Sequence, residues 1–164
     1  MKNLPLEGLT TAQLWQALDL DTRALAAQAL YADKALRREG DHAIATQLRF
    51  REIAVRKLPI EQRVSHLLKS VRPDDSLASS LLLALHVGGR RALLETFLTE
   101  LGIPHEAGII DGDHELATPD PDRLATAVSR LYESFPEKEV TVYLTTLLAM
   151  DPTAWSGIPR LLER

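Results

Sequence analysis

Cysteine is absent from all 164 residues. That excludes disulfides, thiolate nucleophiles and cysteine-ligated zinc, and it agrees with a reducing compartment. Aromatic residues make up only 5% of the chain and are scattered along it, so no stacking platform for single-stranded nucleic acid is built in. Long apolar runs are also missing. The longest, Leu77 to Val87, is far short of the roughly 20 residues that span a bilayer, and Gly88-Gly89-Arg90-Arg91 follows it. The opening Met1-Lys2-Asn3-Leu4-Pro5-Leu6-Glu7 has no apolar stretch of a secretory signal, so a cytoplasmic location is expected. Alternating strand patterns are absent too, and the net charge of -4 lacks the basic excess of a nucleic-acid-binding domain.

What remains is a composition of 45% hydrophobic and 26% charged residues, enough to build one sizeable core or two small ones. Charge is unevenly placed. Residues 1–72 carry 12 Lys and Arg against 8 Asp and Glu, whereas 73–164 carry 7 against 15. Such asymmetry orients a molecule on a charged partner or favours head-to-tail self-contact.

Helical periodicity runs through most of the chain. Thr10-Thr11-Ala12-Gln13 has the form of a capping box before Trp15 and Leu18. Asp21 is expected to cap a helix carrying Leu25, Ala29, Ala32 and Leu36, with Gly40 stopping it and Asp41 capping the next. Pro59 opens the amphipathic stripe Ile60, Val64, Leu67, Leu68 and Val71. The same device recurs at Pro73, Pro121, Pro136 and Pro152. The Leu77 to Val87 run is apolar nearly all round, as a helix enclosed by others would be. Its partner, with Leu93, Leu94, Phe97, Leu98 and Leu101, should end at Gly102 before Pro104, and the intervening Gly88-Gly89 reads as a tight turn of an αα-hairpin. The fold expected is all-α: a compact bundle of about eight or nine helices built from antiparallel hairpins, with a short HEAT-like stack as the alternative. It would form a single domain over 1–164, with a subdivision into 1–72 and 73–164.

Three clusters carry candidate chemistry. The loop after Gly102 holds His105, Glu106, Asp111, Asp113, His114 and Glu115, a density of oxygen and imidazole groups able to hold a divalent cation. Asp111-Gly112-Asp113-His114-Glu115 resembles the start of an EF-hand loop, but Leu116 stands where that loop needs glycine, and Asp122 where it carries glutamate. The bland alternative is a solvated loop whose aspartates cap the next helix. The second cluster, Gly88, Gly89, Arg90 and Arg91, would place exposed N–H groups and two guanidiniums at a helix N-terminus, where a phosphate or carboxylate binds. The third is a basic stripe of Arg49, Arg56 and Arg63; Arg49 and Arg56 lie seven apart and would share a helix face toward phosphates. Neither His-Glu pair continues into His-Glu-x-x-His, and Trp155-Ser156-Gly157 lacks the first glycine of a nucleophile elbow.

The reading that these observations favour is a non-catalytic intracellular scaffold or protein-interaction module, working with a protein partner or by self-association. It needs no cofactor. A divalent-metal- or anion-binding protein, or an enzyme that uses such a site, is the alternative, and weak nucleic-acid binding the third.

Overall fold

The structure, a computed structural model, describes residues 4–110 and 118–163. Ten α-helices occur among them, and no strand beyond one isolated bridge: the fold is all-α. No single helix among the described residues is long and apolar enough to cross a membrane. The chain divides into two compact units, Thr11–Gly89 and a second made of Met1–Thr10 with Arg90–Arg164. Residue 72 thus lies inside the first unit.

The first unit contains α1 (Thr11–Ala17), α2 (Leu20–Ala32), α3 (Arg37–Leu48), α4 (Glu52–Lys57), α5 (Ile60–Ser70) and α6 (Asp75–Ala84). Helix α6 runs on into a π-helical turn, Leu85–Gly89. Several starts are set by single carboxylates taking up orphan N–H groups. Asp74 accepts from Leu77 N at 2.9 Å. Asp75, one residue on, reaches across to accept from Ala12 N at 2.9 Å and so caps α1. Helix α2 is capped by Asp19, which accepts from Thr22 N at 2.8 Å. Asp21, expected in that role, sits instead in the first helical turn, where negative charge also suits the helix dipole.

Gly40 and Asp41 also depart from expectation. Helix α2 already ends at Ala32, where Asp33 turns the chain by accepting from Ala35 N and Leu36 N at 2.8 and 3.2 Å. Both residues then lie within α3, and both are buried. Gly40 is there because nothing larger fits: a Cβ would stand 2.7 Å from the Tyr31 hydroxyl and 3.0 Å from Leu30 Cδ2. Asp41 is there because its carboxylate accepts from Tyr31 at 3.1 Å and pairs with Arg63 at 3.3 Å. Helix α6 supplies Leu77, Ala78, Leu81, Leu82 and Ala84 to the core and packs on α1 and α2.

The second unit contains α7 (Arg91–Glu100), α8 (Pro121–Ser134), α9 (Glu137–Met150) and the short α10 (Ile158–Leu162). Helix α7 buries Leu93, Leu94, Phe97 and Leu98. It ends as its sequence signals, with Gly102 at φ 69° and Ile103 N bonding back to Leu98 O at 2.9 Å. Phe97 meets Tyr143 edge-on at 5.2 Å and Trp155 at 5.7 Å, so the irregular tail is drawn into the core. Helix α8 is capped by Asp120, which accepts from Arg123 N at 3.1 Å, with Pro121 at the first helical position.

Replacing Gly40 with Ala should lower stability by about 1–3 kcal/mol, even though Ala is the better helix former by about 1 kcal/mol. Urea denaturation measures it, and an unchanged midpoint would show that Tyr31 yields without cost.

Candidate functional site

The Gly-Gly-Arg-Arg cluster is split between two helix ends: the glycines close one helix and the arginines open the next. Gly88 and Gly89 are not a tight turn but the end of the π-helical turn that extends α6. The reason is packing on α2, where a Cβ on Gly89 would stand 3.1 Å from Leu25 Cγ and one on Gly88 3.4 Å from Ala29 Cβ. At that C-terminal end of a helix the open backbone groups are carbonyls. Helix α7 begins only at Arg91, with Arg90 as its N-cap. The Arg90 side chain is turned inward, 11% exposed, with Nε 4.0 Å from Glu139. The contact is a loose ion pair within its own unit: Arg90 Nε and Nη1 are buried and make no hydrogen bond among the described residues.

Of the candidate metal ligands, Asp111, Asp113, His114 and Glu115 lie outside the described residues. His105 and Glu106 belong to an ordered turn. Glu106 and Ile109 exchange backbone hydrogen bonds at 2.9 and 3.0 Å, and Ala107 and Gly108 have φ of 52° and 83°, the signature of a type I′ turn. Gly108 is buried; a Cβ there would come within 2.8 Å of Leu94 Cδ2. Its N–H donates to His105 Nδ1 at 3.1 Å, so the imidazole proton resides on Nε2, 3.0 Å from the Thr99 hydroxyl. Both ring nitrogens of His105 thus serve the turn. Among the described residues, no three His, Asp or Glu side chains are grouped to hold a metal ion.

The basic stripe is also redistributed. Arg49 and Arg56 do not share a helix, because Arg49 takes the left-handed conformation (φ 56°) that closes α3, and α4 starts afresh at Glu52. Its N–H bonds to Ala45 O, the 5→1 bond of a left-handed helix cap, and Phe50 N reaches the same carbonyl at 3.0 Å. Arg63 is turned largely away from the surface. It pairs with Asp41, their side chains only 11% and 5% exposed. It also donates to Leu58 O at 2.8 Å and to Arg56 O, tying the end of α4 to α5. Of the three, only Arg49 and Arg56 remain exposed, and Arg56 meets Glu52 at 3.3 Å. Glu52 also takes a 2.6 Å hydrogen bond from His42, which, with the nearby Arg56, holds its carboxyl below the usual range.

Two surface features were not evident in the sequence. The first is the Arg49–Lys57 stretch. Only Val55 is buried there, while Phe50 and Ile53 are 46% and 62% exposed among Arg49, Arg51, Arg56 and Lys57. On α5 the apolar stripe is likewise half covered, with Leu67 buried and Ile60 42% exposed. The second is an open groove of about 1120 Å³ in the second unit. Leu4, Leu6, Pro136, Leu161 and Leu162 give it apolar walls, and Tyr132 and Thr141 in its lining are joined hydroxyl to hydroxyl at 3.0 Å. Its exposed charged residues are Glu137, Lys138 and Glu163. A periodicity argument finds the stripe on α5 but cannot tell which of its residues a neighbour covers. The groove joins segments more than a hundred residues apart, a proximity no local pattern encodes.

Replacing Arg63 with Ala should destabilise the first unit by about 3–5 kcal/mol, because a buried carboxylate loses its counter-charge. The same change at Arg56 should cost under about 1 kcal/mol, its pair being exposed; chemical denaturation of both variants makes the comparison. Stability should also fall as pH rises above about 10. Burial pushes the Tyr31 and Tyr143 hydroxyls above the usual tyrosine range, helped at Tyr31 by Asp41. The folded chain keeps those protons while the unfolded chain releases them, so the contribution is whole below the unfolded value and lost above it. Unfolding midpoints taken across the alkaline range test this, and the slope should lessen in Tyr143→Phe. Compared with known proteins, the chain matches no family model, no curated protein and no solved structure.

Proposed function

We propose that this protein is a non-catalytic helical interaction module that binds another protein through the α4–α5 side of its first unit. One observation carries this reading: Phe50, Ile53 and Ile60 stand 46%, 62% and 42% exposed along a short stretch that is fastened from beneath. Large apolar side chains held in water amid arginines are what partner-binding surfaces offer, since aromatic and Arg residues supply most binding energy. The stretch is also presented rigidly. Val55 is fully buried, and Arg63 clamps the carbonyls of Arg56 and Leu58, so little ordering cost remains at binding.

A photo-reactive amino acid placed at Ile53 in the native cells should give a discrete protein adduct. Placed at exposed Lys34, it should give none. The adduct should disappear when Phe50 is also changed to Asp, while the unfolding temperature stays within a degree or two, as for an exposed position. Equal labelling from both positions would overturn the reading.

A further inference from the structure

The two surface features of this chain are complementary to one another. The Arg49–Lys57 stretch carries four basic residues against Glu52 alone, with Phe50 and Ile53 projecting among them. Glu52 is moreover already bonded to His42 and Arg56, so the stretch meets a partner as a basic, apolar-tipped knob. The groove of the second unit has apolar walls, two exposed carboxylates, Glu137 and Glu163, and one exposed amine, Lys138. It belongs to a unit with 8 Lys and Arg against 14 Asp and Glu, whereas the first unit has 11 against 9. Its volume of about 1120 Å³ and its open form leave room for a peptide segment. A short amphipathic helix laid in by its apolar side chains suits such a groove.

We infer that the Arg49–Lys57 stretch of one copy docks in the groove lined by Leu161 and Glu137 of a second copy, so that the chain associates with itself head to tail. This rests on the interaction reading above and names its partner. The two docking surfaces differ, so each copy offers a knob to one groove and a groove to one knob, in chains, rings or a reciprocal pair. Arg49, Arg51 and Lys57 would face Glu137 and Glu163 across a solvent-exposed rim, which makes the association sensitive to salt.

Analytical ultracentrifugation of the full chain, up to about 1 mM, tests the inference. The weight-average mass should climb with concentration from 18.2 kDa to that of a dimer or larger, and fall back when salt is raised toward about 1 M, where the Debye length is about 3 Å. Ile53→Glu spoils the knob, and Glu137→Arg or, independently, Leu161→Arg spoils the groove; each variant alone should be monomeric. An equal mixture of Ile53→Glu with Glu137→Arg keeps one good knob and one good groove, and should form a dimer and nothing larger. A wild-type chain that stays monomeric overturns the inference, as does a mixture that stays monomeric while wild type associates. If the Ile53 crosslink persists in that case, the interaction reading stands with a different protein as partner; if it is lost too, both fall.

Discussion

The first unit depends on a carboxylate out of water. Asp41 lies inside α3 with its side chain 5% exposed, and it is tolerable there only because Arg63 of α5 brings a counter-charge and Tyr31 of α2 donates a hydroxyl. Three helices are thereby locked at one point. Much else follows from that requirement. Gly40 must lack a side chain so that Tyr31 can reach across, and α2 must end early enough for α3 to turn Asp41 inward. Arg63, once committed, has donors left over, and these take the carbonyls at the end of α4. A short helix of six residues with a single buried side chain is thus fastened to the unit.

The surface chemistry is the counterpart of this internal order. With Arg63 withdrawn and Glu52 occupied by His42 and Arg56, the Arg49–Lys57 stretch keeps its positive charge and its apolar tips on the outside. In the second unit a similar economy of local bonds holds the described part of the 102–120 loop. His105 is a structural linchpin there, receiving Gly108 N–H and facing Thr99, while Gly108 lies on Leu94. A residue type that suggests metal or acid–base chemistry is used to shape a turn.

Much of the helical layout was legible. Pro73-Asp74, Pro121 and Gly102 mark helix ends where they were expected, because capping chemistry acts over three or four residues. The stripe through Leu93–Leu101 points inward as its spacing requires. The misreadings share one cause. Gly40 and Asp41 look like a stop and a start, Gly88-Gly89 like a turn, and Arg49 and Arg56 like one helix face. Each was decided by a contact distant along the chain or by a backbone conformation that carries no compositional mark. Of the candidate sites, the basic stripe was legible only as composition; which arginine goes inside and which stays out was not.

The sequence by itself determined that the chain is all-α, where most helices lie and which faces are apolar, because periodicity, caps and breakers are local and additive. Tertiary structure alone decided the fate of the polar residues. A buried Asp41 needs Arg63, a π-helical turn needs the surface of α2, and a groove needs Leu4 and Leu161 side by side. Those arrangements depend on which side chains meet, and the free energy of a charge or an apolar group turns on its neighbours and its exposure rather than on its place in the chain.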